Sequence, residues 1–198
     1  ALIAGCKTTV IPKSVTKIVA CAFSDCTMLE SIIIPESVTE IGEKTFSGCT
    51  SLKSITIPES VMMIGEKTFY HCTSLKNITI PESVTEIGYK AFENCSSLES
   101  VILSKGITKI GEEAFLLCTS LKNITIPESV TMILNHAFGA CVSLESIVIP
   151  KGVRKIEALA FIGCTSLTTL TLPIGVNKIE EQVFDEWSAL AAINVPAK

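Results

Sequence analysis

Phenylalanine occurs eight times in this chain, as Phe23, Phe46, Phe69, Phe92, Phe115, Phe138, Phe161 and Phe184, and every step is 23 residues. Cysteine keeps the same interval at Cys26, Cys49, Cys72, Cys95, Cys118, Cys141 and Cys164, and Trp187 takes the next slot. All eight prolines share a third register, running from Pro12 to Pro196, with Ser104 as the one substitute. Three residue types on three registers of one period define an internal repeat. Such a period restricts the chain to folds in which short, near-identical units stack on one another.

One unit, Thr50–Cys72, reads TSLKSITIPESVMMIGEKTFYHC. Ile55 and Ile57 alternate with Ser54 and Thr56, which predicts a short strand with one buried and one open face. Pro58 lacks an amide hydrogen and ends the strand; Ser60 then supplies a turn. Val61 and Ile64 point back inward. Gly65 is expected to open a helix of one to two turns, with Thr68, Phe69 and Cys72 on its inner side. No unit can bury its own apolar residues, so stability comes from contact between neighbours.

The pattern Cys49, Leu52, Ile55, Ile57, Pro58, Val61, Ile64, Gly65, Thr68, Phe69 recurs in every neighbouring unit. It closely resembles the BspA-type leucine-rich repeat. The resemblance covers essentially the whole chain. It implies an α/β leucine-rich-repeat solenoid, with a parallel sheet on the concave face and short helices on the convex face. It also implies a bacterial, or sometimes protozoan, surface or secreted protein of a family implicated in adhesion to matrix proteins, microbes or cells. A single array over 1–198 is expected: an entry strand at 1–11, eight 23-residue units over 12–195, and a truncated end at 196–198. Trp187 is expected to cap the last unit. The glycine column departs at Val19, Leu134, Glu157 and Glu180.

The mean hydropathy is +0.50. Even so, no run approaches the ~18 consecutive apolar residues that span a bilayer. The net charge of −4, with Lys and Glu interspersed, argues against nucleic acid as a partner. The first residues, Ala1–Gly5, carry no cationic segment of the kind that opens a signal peptide.

Apparent chemistry dissolves into columns. Cysteines 23 apart are repeat mates with parallel side-chain vectors, unsuited to disulfide geometry, and a row of reduced, buried thiols is expected. Cys6 and Cys21 lie off that row, Cys21 being the best candidate for a reactive thiol. No metal or cofactor is expected, because ligands do not converge at metal spacings. His71 and His136 lie nearly three units apart, too far to share a catalytic site, and no enzyme activity is expected. The serines at Ser51, Ser74, Ser97, Ser120, Ser143 and Ser166 form one column expected to satisfy backbone groups. Sequons at Asn77, Asn94 and Asn123 read as by-products of the consensus.

Function then rests on faces. The candidate concave binding face comprises Lys53, Thr56, Lys76, Asn77, Thr79, Glu99, Ile102, Lys122, Asn123, Thr125, Glu145 and Val148. Its charges are expected to compensate within units, as Lys53 with Glu59, Lys76 with Glu82, Glu99 with Lys105, Lys122 with Glu128 and Glu145 with Lys151. A candidate apolar interface comprises Leu116, Leu117, Leu134, Leu159 and Ile162, where apolar residues replace polar ones in adjoining units. The expected role is a secreted or cell-surface binding module for protein or glycan partners. The alternative is a structural spacer or self-association domain of a larger surface protein.

Overall fold

Ile55 is buried between the exposed Ser54 and Thr56, and the same alternation recurs at Asn77–Thr79, Ser100–Ile102 and Ser146–Val148. The structure, a computed structural model, describes residues 7–180, 182, 183, 185, 189 and 192–194. The first strands of the coils, from Thr8–Val10 to Ala192–Asn194, lie parallel with partners 23 residues apart, such as Ser31 with Ser54 and Ile102 with Thr79. They form three consecutive three-stranded ladders that together make the front of the solenoid. A last ladder bond precedes Pro12, Pro81, Pro150 and Pro173, as in Ile80 N–H to the Ile102 carbonyl at 2.9 Å. The proline carbonyl then accepts the valine amide three residues on, Val61 to Pro58 at 3.1 Å, and this turns the chain through a corner.

Past that corner lies a second parallel sheet absent from the sequence expectation. It runs as two ladders, Lys17–Ile18 with Glu40–Ile41, and a five-stranded one from Glu86–Ile87 through Lys109–Ile110, Met132–Ile133 and Lys155–Ile156 to Lys178–Ile179, with Ile64 bridging to Ile87. Val61 and Ile64 are buried as expected. A second serine column ties this corner together. Ser60, Ser83 and Ser129 donate their hydroxyls to the carbonyls of Val38, Val61 and Ile107 at 2.5–2.6 Å. These serines, rather than the column containing Ser51 and Ser74, satisfy backbone groups of the preceding coil.

The third side corrects the helical expectation. Among the described residues there is no helix; the segment after Gly65 is a chain of turns. Its amides alternate in direction. The N–H groups of Lys67, Phe69 and His71 leave the coil for the carbonyls of Tyr89, Ala91 and Glu93 at 2.8–2.9 Å, whereas those of Tyr70 and Cys72 bond back three residues within it. An α-helix requires every amide to reach its own fourth preceding carbonyl, so half the amides are already committed elsewhere. Two residues per coil adopt left-handed backbone to allow this, for example Lys67 (φ 51) and His71 (φ 58), repeated at Lys90 and Asn94 and at Glu113 and Leu117.

The interior is built in rows. Phe23 to Phe161 stack ring on ring with centroids 5.2–5.5 Å apart and planes within 16°. Leu52, Leu75, Leu98, Leu121 and Leu144 are fully buried beside them. Trp187 and residues 196–198, for which a cap and an end were expected, lie outside the described residues.

Candidate binding face

The front strands carry three columns of outward side chains, and all twelve residues of the expected binding face are exposed on them. In the third column Ile33, Ile102 and Val148 are each 61–62% exposed although apolar and β-branched. Ile102, Thr125 and Val148, with Pro127 and Pro150 at the strand exits, line a shallow groove of about 870 Å³ that also touches Ser100, Asn123 and Ser146. A smaller depression of about 330 Å³ continues the face between Thr56, Asn77, Thr79 and Pro81.

Charge on the first column runs from coil to coil. Glu30 pairs with Lys53 of the next coil at 2.6 Å and with Lys7 of the preceding one at 3.4 Å. These two ammonium groups, Lys53 foremost, hold the Glu30 carboxyl below the usual carboxylate range. The expected pairing within units is not formed. Lys53 reaches Glu30 instead of Glu59, and Lys76, Glu99, Lys122 and Glu145 enter no ion pair among the described residues. Six residues of extended chain span about 20 Å, whereas neighbouring strands lie about 4.8 Å apart.

On the turn side the five candidate apolar residues are unequal. Leu117 is 39% exposed; Leu116, Leu134, Leu159 and Ile162 are half-buried. Gly139 lies between Leu116 and Ile162, and a β-carbon there would meet both of them. Leu117 and Leu159 sit at left-handed positions. Beside them is a cluster that the sequence reading missed, built around Tyr89. Lys90 bridges Glu113 at 2.8 Å and Glu93 at 2.9 Å. Burial opposes the charge of Lys90, but the two carboxylates outweigh it and raise its pKa. The ammonium groups of Lys67 and Lys90 both lie within 5.4 Å of the Tyr89 ring centre. The available signal was the appearance of Tyr70 and Tyr89 in columns otherwise free of aromatics.

Among the described residues, reactive groups do not converge. Cys49, Cys72, Cys95, Cys118, Cys141 and Cys164 have no exposed surface. Each thiol donates to the carbonyl of the phenylalanine 26 residues earlier at 3.1–3.3 Å. Burial pushes Cys95 and Cys164 up to about 12, and Cys72, Cys118 and Cys141 well above the ordinary value. Cys26 is half-buried and Cys21 is exposed, while Cys6 lies outside the described residues. The His71 ring packs against Tyr70 and contacts the Asn94 amide at 3.3 Å; His136 contacts Asn135. Among the described residues no three His, Cys, Asp or Glu side chains are grouped as metal ligands would be.

The model of the BspA-type leucine-rich repeat region matches residues 4–122 and 85–198, with six copies. The chain belongs to that family. The crystal structure of a leucine-rich repeat protein from T. pallidum superposes on this BspA-type array with a TM-score of 0.75 at 30% identity, covering 81% of this chain and 77% of that one. A leucine-rich repeat protein from Bacteroides ovatus matches with a TM-score of 0.64 at 29% identity over 95% of this chain and 63% of its own. One from Eubacterium ventriosum gives 0.70 at 27% identity over 79% and 42%. The chain thus spans under two thirds of the latter two proteins. No curated protein matches the sequence.

Proposed function

We propose that this BspA-type array is a non-enzymatic binding module, secreted or displayed at a cell surface, which engages protein or glycan partners through its front strand face. One observation carries the reading. Among the described residues, nine parallel strands keep Phe23 to Phe161, Leu29 to Leu167 and Cys49 to Cys164 inside, yet leave Ile102 and Val148 open beside a groove of about 870 Å³. Apolar residues left exposed along a groove are a feature of interaction surfaces. The surface location rests on family membership. A catalytic dyad needs nucleophile and base within hydrogen-bond reach, whereas the thiol row is sealed in the core and His71 is engaged by Tyr70 and Asn94.

The test coats beads with the full chain and measures their retention on a reconstituted extracellular-matrix layer under flow. Ile102→Arg combined with Val148→Arg is expected to lower retention severalfold, and Leu117→Arg, on the turn side, to leave it unchanged. Equal retention of all three proteins, or equal loss from both variants, overturns the assignment of the front face.

A further inference from the structure

The first column of the front face carries, coil by coil, Lys7, Glu30, Lys53, Lys76, Glu99, Lys122 and Glu145. The first three are joined in ion pairs and the last four are not. Isologous contact places the two-fold axis in the interface plane, and each residue then meets a fixed partner. An axis parallel to the strands reverses the order of the coils but preserves position along each strand, so columns face their own copies. With that axis midway between the coils of Glu99 and Lys122, Glu99 faces Lys122 of the second copy and Lys76 faces its Glu145. All four unpaired charges then find an opposite charge. Moving the axis by half a coil either way sets Glu99 against Glu99 or Lys122 against Lys122.

The same operation matches the other columns. In the second column Ser100 faces Asn123 and Asn77 faces Ser146, each a donor–acceptor pair, and all four are exposed. In the third column the open Ile102 faces Thr125 and the open Val148 faces Thr79, so each apolar side chain meets a threonine methyl. No like-charged pair arises over the eight strands that overlap. The overlap is about 38 Å by about 10 Å, roughly 400 Å² per copy. That places the contact among weak, transient interfaces.

We infer that the front face is self-complementary and that its occupant is a second copy of this chain, docked with coils antiparallel about an axis between Glu99 and Lys122. This rests on the front face being the binding surface, and it names the partner there. Sedimentation of the full chain at low salt is expected to show reversible dimers at high concentration that dissociate on dilution. The dimers are lost near 1 M salt, where the screening length falls to about 3 Å. Glu99→Lys and Lys122→Glu each weaken self-association about tenfold or more. An equimolar mixture of the two variants associates as well as the parent, because each reversed charge meets an opposite one across the axis; the double variant does too. The mixture also establishes that both single variants are folded. A strictly monomeric parent, single variants that dimerise normally, or a mixture that stays monomeric overturns the inference. If bead retention still depends on Ile102 and Val148 in that event, the binding face stands and only the second copy is refuted.

Discussion

Raising the pH from 8 to 10 should unfold this protein, and the cause is the row of thiols. Six cysteines, Cys49 to Cys164, have no solvent exposure, and burial pushes Cys49, Cys95 and Cys164 from an ordinary value of 9.0 up to about 12. A folded-state pKa raised above the unfolded one gives stability that is complete below pH 9 and is lost as pH rises towards 12. At pH 10 an unfolded thiol is about 90% ionised and a buried one about 1%, so unfolding releases about 0.9 proton per thiol. From pH 8 to 10 each of these three thiols then costs about 1.4 kcal/mol, about 4 kcal/mol together, and Cys72, Cys118 and Cys141, raised in the same direction, add to it. That is comparable with the whole stability of a typical domain, about 5–15 kcal/mol. The assay is denaturant unfolding under reducing conditions at pH 8, 9 and 10. Cys95→Ala isolates the thiol contribution from lysine titration: its stability should fall less steeply near pH 10, by about 1.2 kcal/mol per pH unit. A parent whose midpoint is unchanged between pH 8 and 10, or a Cys95→Ala slope equal to the parent's, refutes the neutral buried row.

Three further outcomes follow from the packing. Phe92→Ala removes a ring lying 5.2 Å from both Phe69 and Phe115; a loss of about 3–5 kcal/mol is expected from urea unfolding, and a loss below about 1 kcal/mol contradicts the stacked interior. Gly111→Ala and Gly65→Ala should diverge. A β-carbon at Gly111 falls 2.5 Å from the Ile87 carbonyl oxygen, whereas at Gly65 the nearest atom is 3.7 Å away. The first should cost about 1–3 kcal/mol in thermal unfolding and the second almost nothing, and equal effects exclude the coil-on-coil contact. Hydrogen bonds from Lys178 and the Ala158 amide lower the Glu180 carboxyl to about 2. The stability it contributes is therefore present above about pH 4.5 and lost as pH falls towards 2. Glu180→Gln should flatten the melting temperature over that window, and an unchanged acid limb rules out the interaction.

The core was readable because Phe, Leu and Cys recur on fixed columns, and a side chain that recurs at the stacking interval has its own copies above and below it. The second sheet was not readable. Each of its strands contributes two residues, such as Lys109–Ile110, and two residues contain no alternation. The helical expectation failed at a subtler signal. One left-handed column holds Asp25, Gly48, His71, Asn94 and Gly163, types that tolerate positive φ and spell a repeated break, but Leu117 and Ala140 occupy the same column. The other holds Lys44, Lys67 and Lys90, which read as ordinary helix formers. Ser60 and Ser74 look alike in sequence; only the offset between coils brings the Ser60 hydroxyl to the Val38 carbonyl at 2.5 Å.

The same offset decides where specificity can reside. Interior columns must carry nearly one residue type throughout, because each ring or thiol packs on its own copy, and a uniform column bears no information about position. The open columns are free of that restriction, and their order is irregular: Lys, Glu, Lys, Lys, Glu, Lys, Glu along the first, with Val10, Ile33, Ile102 and Val148 spaced unevenly along the third. A regularly alternating ladder would bind its complement equally well at every second coil and so would define no register. The consecutive Lys53 and Lys76 break that degeneracy, since a shift that suits one side of the break sets like charges together on the other. Recognition through the proposed face would register a sequence of charges along about 29 Å of sheet, and reversing one charge in the middle would disturb it more than removing one at the end.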